Sequence, residues 1–188
     1  GVGGYTGISA PKRYLWDEDE TIQQWYFNQG KNDIAESKIV VGKIMSRLTS
    51  SGDLLTRILN DKNKDNASPA IQANFSRSSM LTLMIMEIFC QAFRQMNDPS
   101  YRQATLNSRV PREAKRLILT LPSATPIVEK NIFEKRAKDA LDLLWELMDW
   151  VDVKSESHCN YIPKPELIIS YDEASSTQLV YLYAEIIK

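Results

Sequence analysis

The sequence predicts an α/β fold built on a parallel strand–helix–strand–helix unit. Two short runs, RLILTL at Arg116–Leu121 and LIISY at 167–171, have the length and apolar content of buried strands. Each run is followed by a segment with helical periodicity, at 126–150 and 174–187. Because a helix that connects two strands of one sheet returns the chain to its starting end, we expect the two strands to pair in parallel.

The composition is that of a soluble globular protein, with 188 residues, 43% hydrophobic and 25% charged residues, and a formal net charge of -1. The near-zero charge predicts no nucleic-acid partner, and the lack of a long uncharged apolar run predicts no membrane partner. The sequence has only two cysteines, far apart, so we expect a reducing, cytoplasmic setting. The start, GVGGY, has neither Met nor a signal peptide. It indicates an internal piece of a longer protein, with the remainder of the same polypeptide and unknown proteins as partners.

The region 1–76 is predicted to hold short strands. KIVV at 38–41 has strand character, and SSGD at 50–53 is a turn signal between two apolar segments, 43–48 and 54–58, which favours a hairpin. The Leu, Met and Arg content leaves helical pieces open as an alternative. The tract 60–66 is wholly polar and predicts an exposed, mobile loop that continues to 76.

A long helix is predicted at 77–97, with most of its circumference buried. Its apolar positions recur at helical spacing, namely Leu81, Ile85, Ile88, Phe89, Ala92 and Met96, and four further Met and Leu residues widen the stripe. A Met-rich partner groove is the alternative to a core helix. The connection that follows carries several arginines, from Arg102 to Arg116, but no interleaved aromatic residues, so nucleic-acid binding is disfavoured.

The helix at 126–150 is predicted to begin with Thr125 as its N-cap and Pro126 in its first position. Its inward face is expected to be formed by Phe133, Ala137, Ala140, Leu141, Leu144, Leu147 and Met148. The polar linker 152–164 contains His158 next to Cys159. Adjacent residues of an extended loop point apart, so this pair does not predict a catalytic dyad.

Candidate functional residues follow the two strands, because active sites of parallel sheets lie past the carboxyl ends of the strands. These places hold Pro122–Ala124, and Asp172 with Glu173. Lys12 and Arg13 stand beside three apolar residues and fit either a solvated basic pair or a phosphate contact. Neither a catalytic triad, nor a metal cluster, nor a Gly-rich phosphate loop is recognisable in the sequence.

Two resemblances add to these predictions. RLILTLPS at 116–123 and the helix containing KRAKDA at 135–140 resemble the actin-like ATPase fold (ribonuclease H-like) of DnaK-type heat-shock chaperones. DEASSTQLVY at 172–181 is similar to a chaperone motif and the helix after it. TGISAPKRYLWD at 6–17 and YDEASSTQLVYLY at 171–183 look like signature segments of the bacterial virulence factor SrfB family.

The resemblance implies a partial actin-like subdomain at 77–188 and a smaller α+β insertion subdomain at 1–76, in a bacterial cytoplasmic protein that uses ATP and Mg when complete. KRYL at 12–15 looks like the chaperones' Lys-Arg-Leu-Ile element. By this resemblance Lys12 would contact the transferred phosphate and the attacking water, and Glu173 would lie near the metal and the water. Arg13 and Asp172 would assist in cofactor binding. Both phosphate loops would lie outside 1–188, so we expect the fragment to be inactive alone. Asp172 replaces an Asn of the chaperone motif, which keeps open the alternative of a non-catalytic interaction or scaffold module.

Overall fold

The computed structural model describes residues 10–21, 43–59, 68–70, 74–103, 109–150 and 161–187. Two short 3-10 helices, Pro11–Tyr14 and Met45–Arg47, come first. The regular elements are then, in chain order, α1 (Leu55–Leu59), α2 (Arg77–Asn97), α3 (Pro99–Gln103), β1 (Arg116–Leu121), α4 (Ile127–Leu147), β2 (Glu166–Asp172) and α5 (Glu173–Ile187).

The two strands pair in parallel through the α4 crossover, which confirms the predicted unit. Arg116 is opposite Glu166 at one end of the pair, and Leu121 is opposite Asp172 at the other. The register shifts between Ile118 and Thr120. Side chains alternate between the faces of a strand. Leu117, Leu119, Leu167 and Ile169 accordingly pack against the core, while Ile118 is exposed.

α2 has the bounds that the sequence predicted. The side chain of Ser76 caps it, accepting a hydrogen bond from the Ser79 amide at 3.0 Å, and the helix stops before Asp98 and Pro99. The prediction that most of its circumference is buried is wrong in the second half, where Ile88 and Ala92 are exposed. The reason is that only one side of α2 packs, chiefly against α4.

α4 differs from its prediction at both ends. The Thr125 hydroxyl donates to the Pro122 carbonyl at 2.7 Å and closes a turn, so Pro126 occupies the cap position and the helix begins at Ile127. At the other end Asp149 adopts a left-handed conformation with φ of 53°. The Trp150 amide then donates to the Trp145 carbonyl at 3.0 Å, a Schellman-type ending that stops the helix before 150. Met148, predicted to face inward, is exposed.

The predicted hairpin in the region 43–58 is wrong, although its turn is present. Leu48 and Leu54 form a single antiparallel bridge around the turn, and the flanking residues form the 3-10 helix Met45–Arg47 and α1. Both leucines are buried in the core, and their Leu-, Met- and Arg-containing neighbours favour helix over strand. The predicted strand at 38–41 lies outside the described residues.

The predicted loop 60–76 is only partly described, since 60–67 and 71–73 lie outside the described residues. Its end is not exposed: Phe75 is 1% exposed, and the Ser76 amide donates to the Ser51 carbonyl at 2.8 Å. An aromatic side chain at this point fills the space beneath the 50–53 turn. The expectation of an exposed loop as far as 76 is therefore wrong for its last residues.

One hydrophobic core joins residues on both sides of the proposed boundary at 76. Leu15, Leu48 and Phe75 belong to the same buried cluster as Leu81 and Leu144. The described residues of the two proposed subdomains thus share a core. The division into two subdomains stays a prediction.

Candidate functional site

The 3-10 helix Pro11–Tyr14 is fixed on α2 by residues that flank it. Leu15 is buried in the core, and the Asp17 carbonyl accepts a hydrogen bond from the Ser78 amide at 2.9 Å. The Arg77 guanidinium lies over the Tyr14 ring, 5.0 Å from its centroid. These contacts hold the backbone of the candidate residues Lys12 and Arg13 in one place.

Lys12 and Glu173 meet although 161 positions separate them in the sequence. The Lys12 Nζ atom lies 2.8 Å from Glu173 Oε1 and 5.7 Å from the centroid of the Phe133 ring. Both charged side chains are nearly half exposed, at 45% and 47%. An exposed ion pair contributes only about 0–1 kcal/mol to stability. The pair is therefore an accessible charged site, with the Lys12 cation held from one side by an aromatic ring.

Asp172 and Arg13 flank this pair in sequence but have different surroundings. Asp172 Oδ1 accepts a hydrogen bond from the Ser175 amide at 2.8 Å and so caps the first turn of α5. The Ser175 amide holds the pKa of Asp172 below its usual value. Arg13 is exposed beside Lys12. The structure thus brings Lys12 and Glu173 together, engages Asp172 locally, and leaves Arg13 at the surface.

The other predicted position, Pro122–Ala124, follows β1 at the same edge of the sheet. Leu121 and Asp172 are the last residues of the two strands and are paired, so 122–124 and Glu173 both continue from this edge. All three residues of 122–124 are exposed. The carboxyl ends of the two parallel strands therefore lie at the same end of the sheet.

A buried ionic cluster behind this site was not predicted from the sequence. Its centre is Arg136 of α4, whose side chain is 0% exposed. Its guanidinium donates to Asp53 Oδ1 at 2.6 Å, Glu18 Oε1 at 2.9 Å and Ser78 Oγ at 2.9 Å. Lys135 approaches the same two carboxylates. We name Glu18, Asp53, Lys135 and Arg136 the Arg136 cluster. It joins α4 to the N-terminal segment, to the 50–53 turn and, through Ser78, to α2.

The Arg136 cluster also sets the ionisation of Asp53. Burial raises the pKa of this carboxyl, but the charges of Arg136 and Lys135 and the hydrogen bond from Arg136 outweigh burial, so its pKa lies below the usual value. Asp53 is therefore ionised at neutral pH. The helical periodicity of α4 indicates that Arg136 faces inward, because position 136 lies on the inward stripe between Phe133 and Ala140.

Asp139, one turn further along α4, is buried, and few polar contacts offset the cost of burying its carboxylate. It is 1% exposed, and Arg57 Nε lies 2.9 Å from its Oδ1 without the alignment of a hydrogen bond. Burial raises the pKa of Asp139 to about 6, although the charges of Arg57, Lys135 and Arg136 oppose the shift. A carboxyl with this pKa is mostly protonated in mild acid and ionised at neutral pH.

The raised pKa of Asp139 predicts a stability that falls as pH rises. Between its usual value of 3.8 and about 6 the folded state binds more protons at Asp139 than the unfolded state, so this contribution falls through that window and levels off above it. Two pKa units correspond to about 3 kcal/mol. We expect Asp139→Asn to remove this slope in urea unfolding measured from pH 4 to 7. The control Asp142→Asn, at a partly exposed neighbouring carboxylate, should leave this pH dependence unchanged. A slope that persists in Asp139→Asn would contradict its assignment to Asp139.

Other chemistry is sparse in the part of the chain that the structure describes. No three His, Cys, Asp or Glu residues within it are grouped so as to hold a metal ion. His158 and Cys159 lie outside it. Cys90 is half-buried and has a free thiol. Among the helices in the described ranges, none combines the length and the apolarity needed to cross a bilayer.

Comparison with known proteins identifies a family. The model of the family described as "Virulence factor SrfB" matches residues 1–188. The search of curated proteins gave no match, and neither did the search of solved structures.

Proposed function

The chain belongs to the virulence factor SrfB family, and from this premise we propose that it forms one wall of a phosphoryl-transfer site in an ATPase of actin-like fold. The observation that carries the proposal is the contact between Lys12 and Glu173 past the carboxyl end of β2. These are the two residues to which the chaperone resemblance assigns the phosphate and the attacking water. Local sequence pattern does not require them to meet.

The two side chains suit phosphoryl transfer. Such reactions depend on a cation that stabilises charge on the transferred group and on an acceptor that orients the nucleophile. Lys12 supplies the cation, and its position against Phe133 limits the directions in which the ammonium can point. Glu173 supplies the acceptor, and as the first residue of α5 its backbone is set by the end of β2.

The described residues fit a magnesium nucleotide in part. Mg²⁺ is commonly bound by one or two carboxylates, water and substrate phosphates. Glu173 suits this role, whereas Asp172 already caps α5. A cradle of glycine amides for the phosphates is not provided by the described residues, whose one left-handed glycine is Gly52 in the 50–53 turn. ATP would supply the phosphoryl group, and the remainder of the same polypeptide would supply the phosphate loops.

A non-catalytic interaction module is the second candidate, and α5 favours it. None of the residues of this helix is buried, and the exposed apolar ones are Leu179, Val180, Tyr181, Leu182, Tyr183, Ile186 and Ile187. Exposed apolar area on this scale is typical of a surface that contacts another protein segment. In this second candidate the Lys12–Glu173 pair is a surface ion pair without a catalytic role.

Substitution of the pair separates the two candidates. In the natural polypeptide that carries this chain, we expect Lys12→Ala and Glu173→Gln each to lower the rate of ATP hydrolysis by about 100-fold or more, as is usual for charge-stabilising and acid–base groups. Steady-state phosphate release measures the rate. Folding is checked by circular dichroism, because the lost ion pair is exposed and its removal should leave the fold intact.

Lys43→Ala is the matched control. Lys43 makes a similar exposed ion pair with Asp149 at 3.2 Å. Asp149 follows the end of α4, whereas Phe133, which contacts Lys12, lies near the start of that helix. We expect unchanged hydrolysis in this variant. Wild-type protein without ATPase activity, or equal activity in the Lys12, Glu173 and Lys43 variants, would refute the catalytic role and favour the interaction module.

A further inference from the structure

A pocket of about 620 Å³ lies at the opposite end of the sheet from Lys12 and Glu173. Its walls are the last turns of α2 and α4 and the segments 111–114 and 161–163, which lead into the starts of β1 and β2. The strands are parallel and about 20 Å long. The pocket and the charged pair are thus separate sites, at the amino and carboxyl ends of the same strands.

Specific hydrogen bonds hold both connecting segments against the helices. The Asn97 side chain at the end of α2 bonds the backbone of Arg112 twice, at 3.0 Å to its carbonyl and 2.9 Å to its amide. On the other side, Trp145 Nε1 donates to the Ile162 carbonyl at 2.9 Å. The Schellman-type ending of α4 places Trp150 next to Trp145. The walls are therefore held in place by bonds within the protein, and these bonds occupy the polar groups of Asn97 and Trp145.

Three aromatic rings form one continuous part of the wall. Trp145 packs edge-on against both Phe93 and Trp150, with ring centroids 5.9 Å and 5.0 Å apart. Trp145 is buried, whereas Phe93 and Trp150 are half-buried and keep ring surface that a ligand can contact. Aromatic rings attract a further ring through edge and face contacts, in addition to the gain from buried area. This wall therefore favours an aromatic ligand over a saturated one.

Sulfur atoms add to the same preference. Three further lining residues carry sulfur, namely Cys90, Met96 and Met148. Sulfur makes favourable contacts with the edges of aromatic rings, and methionine side chains adapt to the shape beside them. Burial raises the pKa of the Cys90 thiol, with the Glu87 charge adding to the effect, so Cys90 is uncharged at neutral pH.

The charged residues that line the pocket do not require a charged ligand. Arg94, Arg112 and Glu113 are all exposed. Hydrogen bonds from Ser100 and the charge of Arg94 hold the pKa of Asp98 below its usual value, so the Asp98 carboxylate balances Arg94. Arg112 has an interaction partner of its own. An ionised ligand would lose its hydration against the aromatic wall, and burying a charge without a partner is costly.

We infer that this pocket binds a small, uncharged, flat aromatic molecule. Its rings lie against Phe93, Trp145 and Trp150, beside the sulfur-bearing side chains. The volume is within the roughly 300–1,000 Å³ of pockets that bind small molecules. The site does not depend on the proposed ATPase activity. Its residues are not shared with the Lys12–Glu173 pair, so either proposal can fail alone.

The test uses four probes built on one two-ring skeleton. They are 2-naphthamide, which is uncharged, the anion 2-naphthoate, the cation 2-naphthylmethylammonium, and decahydronaphthalene-2-carboxamide, the saturated amide. Isothermal titration calorimetry should show one naphthamide site per chain. Both ions should bind at least tenfold more weakly than naphthamide, because they lose hydration. The saturated amide should bind at least fivefold more weakly, because it lacks ring contacts.

Phe93→Leu tests the aromatic wall, since it removes one ring and keeps an apolar side chain. The preference for naphthamide over the saturated amide should fall at least threefold in this variant. Tyr101→Leu is the matched control, because it removes an exposed ring that does not line the pocket. It should leave the preference unchanged. Circular dichroism checks that both variants are folded.

Alkylation of Cys90 in the wild type locates the site. Iodoacetamide modification of Cys90, followed by peptide mass mapping that separates it from Cys159, should slow at least fivefold at saturating naphthamide. No binding at millimolar naphthamide, equal or tighter binding of either ion, equal binding of the saturated amide, an unchanged preference in folded Phe93→Leu, or an unprotected Cys90 would each overturn the inference.

Discussion

Replacing Arg136 by methionine is expected to lower the free energy of unfolding by about 3 kcal/mol, the scale for removing one partner of a buried ion pair. The methionine fills a similar volume, so the loss reports charge and hydrogen bonding. Asp53 and Glu18 lose their strongest donor, and Ser78 loses a bond at a fully buried position. Lys135, 3.4 Å from Glu18 and 3.6 Å from Asp53, remains and limits the loss. Urea unfolding at neutral pH measures it.

Lys138→Met is the matched control on the same helix. Lys138 is exposed and pairs with Glu134 four residues before it, which contributes only about 0.3–0.5 kcal/mol. The double variant Arg136→Met/Asp53→Asn should lose less than the sum of its single changes, because the two side chains share one interaction. A loss below 1 kcal/mol in Arg136→Met, or full additivity in the double variant, would mean that the cluster does not stabilise the fold.

Gly52→Ala is expected to cost about 2–5 kcal/mol, the sum of backbone strain and overpacking. Gly52 has φ of 88°, a conformation that an L-residue adopts only with strain. A Cβ atom there would lie 2.3 Å from Ser79 Oγ and 2.8 Å from Ser79 Cβ. Ser79 cannot easily move, because its hydroxyl bonds the Ser51 and Ser76 carbonyls at 2.7 and 2.9 Å within a buried helix start. Thermal and urea unfolding measure the cost.

A second substitution separates the two causes. Ser79→Gly removes both clashing atoms, so Gly52→Ala should cost less in a Ser79→Gly background than in the wild type, with the strain from φ remaining. An equal cost in both backgrounds would assign the whole effect to the backbone. A cost below 1 kcal/mol in the wild-type background would show that the turn relaxes, contrary to the packing described.

The regular elements were predictable because their signals are local. α2 carries its cap at Ser76 and its stop at Pro99 in the sequence, and the two strands of the sheet are compact apolar runs. The hairpin prediction for the region 43–58 was wrong because its apolar residues fit either a strand or a helix. Which of the two forms depends on packing against residues distant in the sequence, in the core that contains Leu48 and Leu54. The left-handed Asp149 that ends α4 likewise has no strong local signature.

The candidate site residues and the buried charged residues divide in the same way. Lys12 and Glu173 could be paired only through the resemblance to chaperone ATPases, since spacing does not relate residues 161 positions apart. Helical periodicity places Arg136 and Asp139 on the inward face of α4. Charged residues are rarely buried, however, so a sequence-based prediction assigns them to the solvent-exposed face. The burial of these two residues depends on partners from four other segments, namely the N-terminal segment, the 50–53 turn, α1 and α2, and a periodicity does not contain that information.

The two-stranded sheet has a consequence for backbone hydrogen bonding. Within the described residues β1 and β2 pair only with each other, so each keeps an outer row of amide and carbonyl groups beyond the pair. A strand from elsewhere could extend the sheet on either side without disturbing the α4 crossover or the paired strand ends beside Glu173. Such growth would add backbone hydrogen bonds in the plane of the sheet.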